Sequence, residues 1–259
     1  MEKLQIIDWN FSCFGYNKRK IEFLFSKAKE NCCILLQEIK PEVYEYIKNN
    51  YSGKYNFVYS LDYRKPGIFD SEARKLGVLI ACSKSVDILN SGVVERNIFP
   101  DRTAFATIKY CGIVLKFLVI HSLTGCGYYK AKSIQYESLS EFVREYNPDV
   151  IGIDANEPEV DSYDIDKMKF FENGYGAACF FREVRNCGLV DSFVKANKIT
   201  ECSDGECLAV SCKVRRRGLV RYDFIFVNNK IDTEHCEYLY DSSVEAGSDH
   251  AMIEAEILI

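Results

Sequence analysis

The sequence predicts an α/β fold in which two mixed β-sheets pack face to face and helices cover both outer sides, a four-layer sandwich. Short apolar runs typical of strands occur along the whole chain, and helix-like segments lie between them without strict strand–helix alternation. Of the 259 residues, 47% are apolar and 14% are aromatic, which is enough for a sizeable core. No linker-like tract and no repeat divides the sequence, so we expect residues 1–259 to form a single domain.

The N-terminal half of the chain begins with two strand–helix pairs. An apolar run at 4–9 precedes a helix at 18–30, for which Asn17 is the expected N-cap. A second apolar run at 34–37 precedes a helix that Pro41 opens, because proline suits the first turn of a helix. Further strands are predicted at 55–60, 77–82, 86–94, 104–108 and 114–121.

The C-terminal half contains the longest predicted helix, at 130–146, where apolar side chains recur at helical spacing. Residues 110–112 predict a hairpin turn before it, and a buried strand at 150–154 follows it directly. Two short helices are expected next, one at 166–171 capped by Asp164 and one at 180–186 ended by a glycine. The last predicted strands are at 222–227 and 251–258.

The charge balance does not by itself indicate nucleic-acid binding. The chain has 33 Lys and Arg against 38 Asp and Glu, a net charge of −5, whereas a nucleic-acid-binding domain is often strongly basic. Local clusters matter more than the total. The cluster that we expect beside the functional site, where it would bind substrate, contains Arg215, Arg216 and Arg217.

The twelve cysteines are expected to be reduced. The first residues lack the long apolar stretch of a secretory signal, and no run reaches the roughly 20 apolar residues of a membrane span, so we expect a cytoplasmic protein that does not enter a membrane. Cys202, Cys207 and Cys212 have four residues between successive members, a spacing that does not match the usual zinc-binding pairs. We expect structural thiols there, and metal binding by these three is the alternative.

Acidic and amide residues stand where strand-like runs end. Asn10 closes the first run, Glu38 follows the second, and Asp154 closes the strand at 150–154. Asp223 lies near the start of a late strand, and Asp249 precedes the last one. Oxygen ligands collected from several strand ends are what a hard cation such as Mg²⁺ needs, because it takes few protein ligands and leaves room for phosphate oxygens. The pattern therefore indicates metal-assisted phosphoester cleavage.

The sequence resembles the endonuclease/exonuclease/phosphatase superfamily, which includes deoxyribonuclease I and exonuclease III. The resemblance extends over almost the whole chain, and its motifs occur in the family's order. They are Ile7-Asp8-Trp9-Asn10, Leu36-Gln37-Glu38-Ile39-Lys40, Gly77-Val78-Leu79-Ile80, Arg102-Thr103-Ala104, His121-Ser122-Leu123, Gly152-Ile153-Asp154-Ala155-Asn156, Arg221-Tyr222-Asp223-Phe224-Ile225-Phe226 and Ser248-Asp249-His250.

The resemblance implies a metal site and a water-activating group. Glu38 is implied as the principal ligand of Mg²⁺, with Mn²⁺ as an alternative ion, and Asn10 and Asp249 are implied as its companions. Asp154 is implied to orient or deprotonate the attacking water, and Asn156 to donate an amide hydrogen bond to the substrate.

The resemblance also assigns roles to two of the three histidines. His250, held by Asp223, is implied to bind a phosphate oxygen, and His121 is implied to assist at the leaving-group side, although a structural histidine is the alternative for it. Arg102 is implied as one more positive group for substrate binding. His235 lies in a polar stretch and is expected at the surface.

Three functions fit these features. The first is a Mg²⁺-dependent nuclease that hydrolyses phosphodiester bonds of DNA or RNA by in-line attack of water. The second is a phosphatase or phosphodiesterase that acts on a small phosphorylated molecule, which the acidic balance favours. The third is a non-catalytic binding protein of the same fold, which has no physical reason to keep so many converging polar groups. No obligate protein partner is indicated by the sequence.

Overall fold

The structure, a computed structural model, describes residues 2–12, 18–68, 75–171, 174–203, 205 and 207–259. Its architecture is two six-stranded sheets with helices on their outer faces, and a two-stranded hairpin lies beside them. The predicted four-layer α/β sandwich of two mixed sheets is confirmed. None of the described helices is long and apolar enough to cross a lipid bilayer.

The first sheet contains both termini of the described chain. Its strand order is β13-β14-β1-β2-β4-β3, and only β1 and β2 run parallel. In chain order its strands are β1 (Lys3–Asn10), β2 (Cys32–Ile39), β3 (Tyr55–Tyr59), β4 (Gly77–Ser83), β13 (Thr233–Leu239) and β14 (Met252–Leu258).

The second sheet carries the middle of the chain. Its strand order is β5-β6-β7-β8-β12-β9, and only β7 and β8 run parallel. Its strands are β5 (Asp87–Gly92), β6 (Thr103–Tyr110), β7 (Ile113–His121), β8 (Val150–Asp154), β9 (Leu189–Asp191) and β12 (Asp223–Asn228), and the separate hairpin is β10 (Cys212–Val214) with β11 (Gly218–Val220).

Three apolar clusters separate the layers. The central cluster lies between the two sheets, where alternate residues of β1, β2 and β4 meet those of β6, β7 and β12. The second lies between the first sheet and the helices α1 (Lys18–Lys27) and α2 (Pro41–Tyr51). The third lies between the second sheet and the helices α4 (Gly125–Tyr146) and α5 (Tyr175–Asn186). The remaining helices are α3 (Ser60–Tyr63), α6 (Ser192–Ala196) and α7 (Tyr240–Ala246).

Most predicted elements are present, with shifted ends. The turn at 110–112 is confirmed, and Cys111 and Gly112 both have positive φ there, at 48° and 85°. The predicted N-cap Asn17 lies outside the described residues.

One predicted helix is wrong. Residues 166–171 do not form a helix: a 3₁₀ turn at Ile165–Lys167 is capped by Asp164, and Lys169 then pairs with Val160 through backbone hydrogen bonds. The cap was predicted correctly, but a long-range bridge takes the backbone groups that a longer helix would use.

Candidate active site

Strand pairing brings the predicted residues to one edge of the sandwich. In the first sheet β1 and β2 run parallel, so Asn10 lies opposite Gln37 and next to Glu38. In the second sheet His121 lies opposite Asp154, which in turn lies opposite Asp223. Because the sheets pack face to face, these strand ends share one rim of the molecule.

Glu38 lies on a β-bulge of β2. The register between β2 and β4 shifts between Leu36 and Ile39, and Glu38 has a φ of 58° in the left-handed region. Such a backbone conformation costs a non-glycine residue of order 1–3 kcal/mol and is typical of functional sites. The bulge leaves the Glu38 side chain 19% exposed, with its Oε1 atom 3.4 Å from Nε2 of His121.

Asp154 is buried at the centre of the rim. Its Oδ2 atom accepts a hydrogen bond of 2.7 Å from the Asn10 amide and lies 3.7 Å from Nε2 of His121. Burial, followed by repulsion from Asp223, raises the pKa of Asp154 to about 7. A carboxyl group that titrates near neutrality is suited to accept a proton from water.

His121 lies close to the carboxylates of Glu38 and Asp154, and Arg102 covers another side of its ring. The Nη1 atom of Arg102 lies 3.1 and 3.2 Å from the two ring nitrogens of His121. Burial, followed by the positive charge of Arg102, lowers the pKa of His121 well below its ordinary value of 6.5. His121 is therefore neutral at neutral pH, and Arg102 is buried behind it instead of lying on an exposed surface.

His250 and Asp223 form a close dyad. The Nδ1 atom of His250 lies 2.9 Å from Oδ2 of Asp223, as the resemblance implied. Burial lowers the pKa of His250, but the attraction and hydrogen bond of Asp223 outweigh it and raise the pKa to about 10. The Trp9 indole N–H donates to the His250 carbonyl at 2.8 Å, which ties the dyad to β1. An imidazolium is thus held at the rim, where it can bind an anionic oxygen.

Asn156 is held by a buried ion pair that the sequence reasoning missed. Asn156 has a φ of 49°, and its carbonyl accepts a hydrogen bond of 2.8 Å from Lys132 on α4. The same ammonium group lies 2.7 Å from Oε1 of Glu157, and both side chains are almost completely buried. A signal was present, because Lys132 continues the buried stripe of Tyr136 and Leu139 at helical spacing.

Asp8 is the second residue that the sequence reasoning left out. Its carboxyl group is buried between the sheets, accepts a hydrogen bond of 2.7 Å from Gln37 and lies against Gly152, where an added Cβ would meet Oδ1 at 2.2 Å. Burial raises the pKa of Asp8 well above its ordinary value, and the negative charges of Asp223 and Asp154 act in the same direction. The surroundings of Asp8, directly behind the rim, therefore favour its protonated form.

Of the three predicted metal ligands, Glu38 and Asn10 lie on one side of the rim and Asp249 lies on the other. Glu38 lies beside His121, and Asn10 is hydrogen-bonded to Asp154, whereas Asp249 is exposed on the side of His250, whose pKa its charge helps to raise. A concentration of oxygen donors and negative charge around Glu38, Asn10 and Asp154 fits a hard divalent cation. Within the part of the chain that the structure describes, the side chains whose ligand atoms converge closely enough to hold a metal ion are instead Cys212, Asp223 and His250.

The three predicted arginines form the turn of the β10–β11 hairpin. All three are exposed, and Arg217 also donates to Glu159 at 2.6 Å and stacks over the Phe171 ring at 4.2 Å. The hairpin adjoins the site because Cys212 at its base forms a β-bridge with His250. All three arginines are therefore on the surface beside the rim, and Arg217 is already paired with Glu159.

The three cysteines of the alternative zinc site contact different parts of the chain. The sulfur of Cys202 lies 3.8 Å from the Ser162 hydroxyl, and the Cys207 thiol donates to the carbonyl of Ala209. Neither sulfur belongs to the one metal-ligand group found with Cys212 among the described residues. The three sulfurs therefore have separate surroundings.

Comparison with known proteins identifies the fold. No protein-family profile matches the sequence, and no curated protein does. Solved structures match over the whole chain: D. rerio TDP2 complexed with single-strand DNA product has a TM-score of 0.68 at 17% identity, with 100% of each chain covered. The human Nocturnin catalytic domain with bound sulfate anion has a TM-score of 0.67 at 13% identity, covering 99% of this chain and 94% of that one.

A bacterial structure gives the same result. The endonuclease/exonuclease/phosphatase from Bacteroides vulgatus has a TM-score of 0.67 at 14% identity, with 100% of each chain covered. Identities this low show the fold alone. The chain therefore shares its fold with these proteins, one of which is an endonuclease/exonuclease/phosphatase, and this is the fold that the sequence motifs predicted.

Proposed function

We propose that this chain, which has the endonuclease/exonuclease/phosphatase fold, is a divalent-metal-dependent hydrolase that cleaves phosphodiester bonds of nucleic acid by in-line attack of water. The observation that carries the proposal is the meeting of Glu38, His121 and Asp154 with the Asp223–His250 dyad at one rim. These groups come from both sheets. We assign proton acceptance to Asp154 and stabilisation of negative charge to His250.

Asp154 is the proposed base. Its carboxyl group, whose pKa is about 7, accepts a proton from the attacking water, and the Asn10 amide fixes its orientation through the hydrogen bond of 2.7 Å. His121 lies 3.7 Å from the same carboxyl group. Because its ring is neutral, it adds no positive charge beside Asp154 during the proton transfer.

His250 and Asn156 are the proposed electrophilic groups. The imidazolium of His250 binds a non-bridging oxygen, whose negative charge grows as the phosphorus becomes pentavalent. The amide of Asn156, positioned through Lys132, is proposed to donate to a second oxygen. Groups that are fixed before the reaction stabilise the transition state without a reorganisation cost.

Glu38, with Asn10 and Asp249, would hold the divalent cation. A bound Mg²⁺ or Mn²⁺ neutralises charge on the phosphate oxygen and on the leaving group. The surroundings of Glu38 fit this role, because its carboxylate stands beside the buried Asp154 and a neutral His121.

Nucleic acid is the favoured substrate for two reasons. Arg215 and Arg216 are exposed in a hairpin bound to His250, where they can contact phosphates that flank the scissile bond. In addition, one protein of the same fold, D. rerio TDP2, is complexed with single-strand DNA product. A small phosphorylated molecule is the second candidate, since the net charge is −5 and Arg217 is engaged by Glu159.

The test compares hydrolysis of four substrates: abasic duplex DNA, single-stranded DNA, RNA and a small phosphoester. We expect activity with Mg²⁺ that EDTA abolishes, and a loss of about 10²- to 10⁴-fold in kcat for Asp154→Asn and for Glu38→Ala. The matched controls are the exposed carboxylates in Asp87→Asn and Glu42→Ala, which should keep wild-type rates. Turnover that survives chelation, or that is unchanged in Asp154→Asn, contradicts the proposal.

A further inference from the structure

Cys212 is fixed beside the dyad by the hydrogen bonds that Ser211, the residue before it, makes on two sides. The carbonyl of Ser211 accepts the Ala251 N–H at 2.6 Å, and the Ser211 hydroxyl accepts the N–H of Tyr222 at 2.7 Å. The same hydroxyl accepts the N–H of Asp223 at 3.2 Å. The residue before Cys212 is therefore bonded both to the strand that carries Asp223 and to the residue that follows His250.

This pairing brings three different ligand atoms together. The sulfur of Cys212, a carboxylate oxygen of Asp223 and a ring nitrogen of His250 all lie within 4.8 Å of one another. Cys212 itself is 4% exposed, whereas His250 is partly open to the rim. An ion can therefore reach the group from the side on which substrate is expected.

We propose that Cys212, Asp223 and His250 form a second cation site, selective for thiophilic divalent ions such as Zn²⁺, and that its occupation inhibits the enzyme. The inhibitory part rests on the function proposed above, because it requires His250 to bind the substrate. The binding part does not.

The donor set explains the selectivity. A thiolate, an imidazole and a carboxylate are the ligands that Zn²⁺ takes in proteins, with water or substrate in a fourth position. Mg²⁺ prefers oxygen and binds thiolate poorly, so it does not compete effectively for this group. The Glu38 site and the Cys212 site therefore select different ions within one rim.

Binding exchanges protons for the metal. Burial, followed by the negative charges of Asp223 and Asp154, raises the pKa of the Cys212 thiol far above its ordinary value, so the free thiol is neutral and unreactive. When the ion binds, the Cys212 sulfur and the His250 ring each release a proton to solvent, and sulfur–metal and nitrogen–metal bonds form. The His250 ring is then held by the ion and is no longer available to a phosphate oxygen.

Cobalt(II) is the probe for the binding part, because it takes zinc-type ligands and absorbs visibly. A thiolate ligand adds a sulfur-to-cobalt charge-transfer band in the near ultraviolet, which oxygen and nitrogen ligands do not give. We expect this band when Co²⁺ is added to the metal-free protein in the presence of excess Mg²⁺, and its loss when Zn²⁺ is added. Cys212→Ser and Cys212→Ala should both lack the band, and the exposed control Cys111→Ser should retain it.

Near-ultraviolet circular dichroism checks that both Cys212 variants are folded, so that a missing band reports the lost ligand. A wild-type protein without the band, or a folded Cys212→Ala variant that keeps it, overturns the site. This readout is independent of catalysis, so it stands even where no substrate is hydrolysed.

Inhibition is measured as the Zn²⁺ concentration that halves the Mg²⁺-supported rate, relative to the uninhibited rate of each variant. We expect this concentration to be at least tenfold higher for Cys212→Ser than for wild type, and unchanged for Cys111→Ser. Equal sensitivity of Cys212→Ser and wild type overturns the inhibitory part, because Zn²⁺ would then act through ligands other than Cys212. Absence of activity in wild type refutes the proposed function instead, and the cobalt band still decides the site.

Discussion

The buried ion pair between Lys132 and Glu157 should be essential for stability. The side chains are 1% and 0% exposed, and the Lys132 ammonium also donates to the Asn156 carbonyl. Replacing Lys132 by Met keeps the volume of the side chain but leaves Glu157 without its cation. Removing one partner of a buried pair costs about 3–5 kcal/mol of unfolding free energy. For a chain of this size that corresponds to a melting temperature lower by about 10 °C.

The pH dependence of this loss follows from the pKa of Glu157. Burial raises that pKa, and Lys132 opposes the effect, so Lys132→Met moves the folded-state pKa further up. The unfolded value is about 4.3, hence the folded variant binds a proton more tightly than the unfolded chain does. The stability of Lys132→Met relative to wild type should therefore be highest at about pH 4 and should fall as the pH rises through the folded-state pKa of Glu157.

Urea unfolding at several pH values measures both effects. The double variant Lys132→Met/Glu157→Gln removes the isolated charge and should be more stable than Lys132→Met alone, because an amide can still accept the N–H of Phe171. If Lys132→Met unfolds within about 1 kcal/mol of wild type at pH 7.5, the pair is not the restraint on Asn156 that its geometry indicates.

Three further predictions concern the rim itself. Asp223→Asn removes the carboxylate that contributes most to the raised pKa of His250. Imidazole NMR titration of the metal-free variant should therefore give a pKa well below the wild-type value of about 10, and an unchanged value contradicts the dyad. Glu38→Gly and Glu38→Ala should both be inactive. The glycine variant should be more stable than the alanine variant by roughly 1 kcal/mol of unfolding free energy, and so unfold at a higher temperature, because glycine adopts a φ of 58° without strain. A less stable glycine variant refutes the strain argument. Changing arginines 215–217 to glutamine should make the slope of log affinity for DNA against log salt shallower by about 2, whereas Lys54→Gln at another surface should not.

The polar residues that end the strands of the site could be predicted, because the sequence signal for a strand end is local. An apolar run that stops at a carboxylate or an amide, as at Asn10, Glu38 and Asp154, indicates a strand that meets solvent there. The same local logic predicted the glycine that ends α5 and the Asp164 cap. Short elements such as β10 and α6 carry too few residues for a periodic signal and were missed.

The sequence by itself determined which polar residues end the strands and that two apolar-faced sheets must cover each other. Tertiary structure alone decided how those residues are used, because register and packing between distant segments have no local signal. It placed Glu38 on a bulge, buried Lys132 beneath Asn156, and brought Cys212 within reach of His250. A backbone at positive φ, a buried ion pair and a sulfur beside an imidazole are stable only when the surrounding fold holds them.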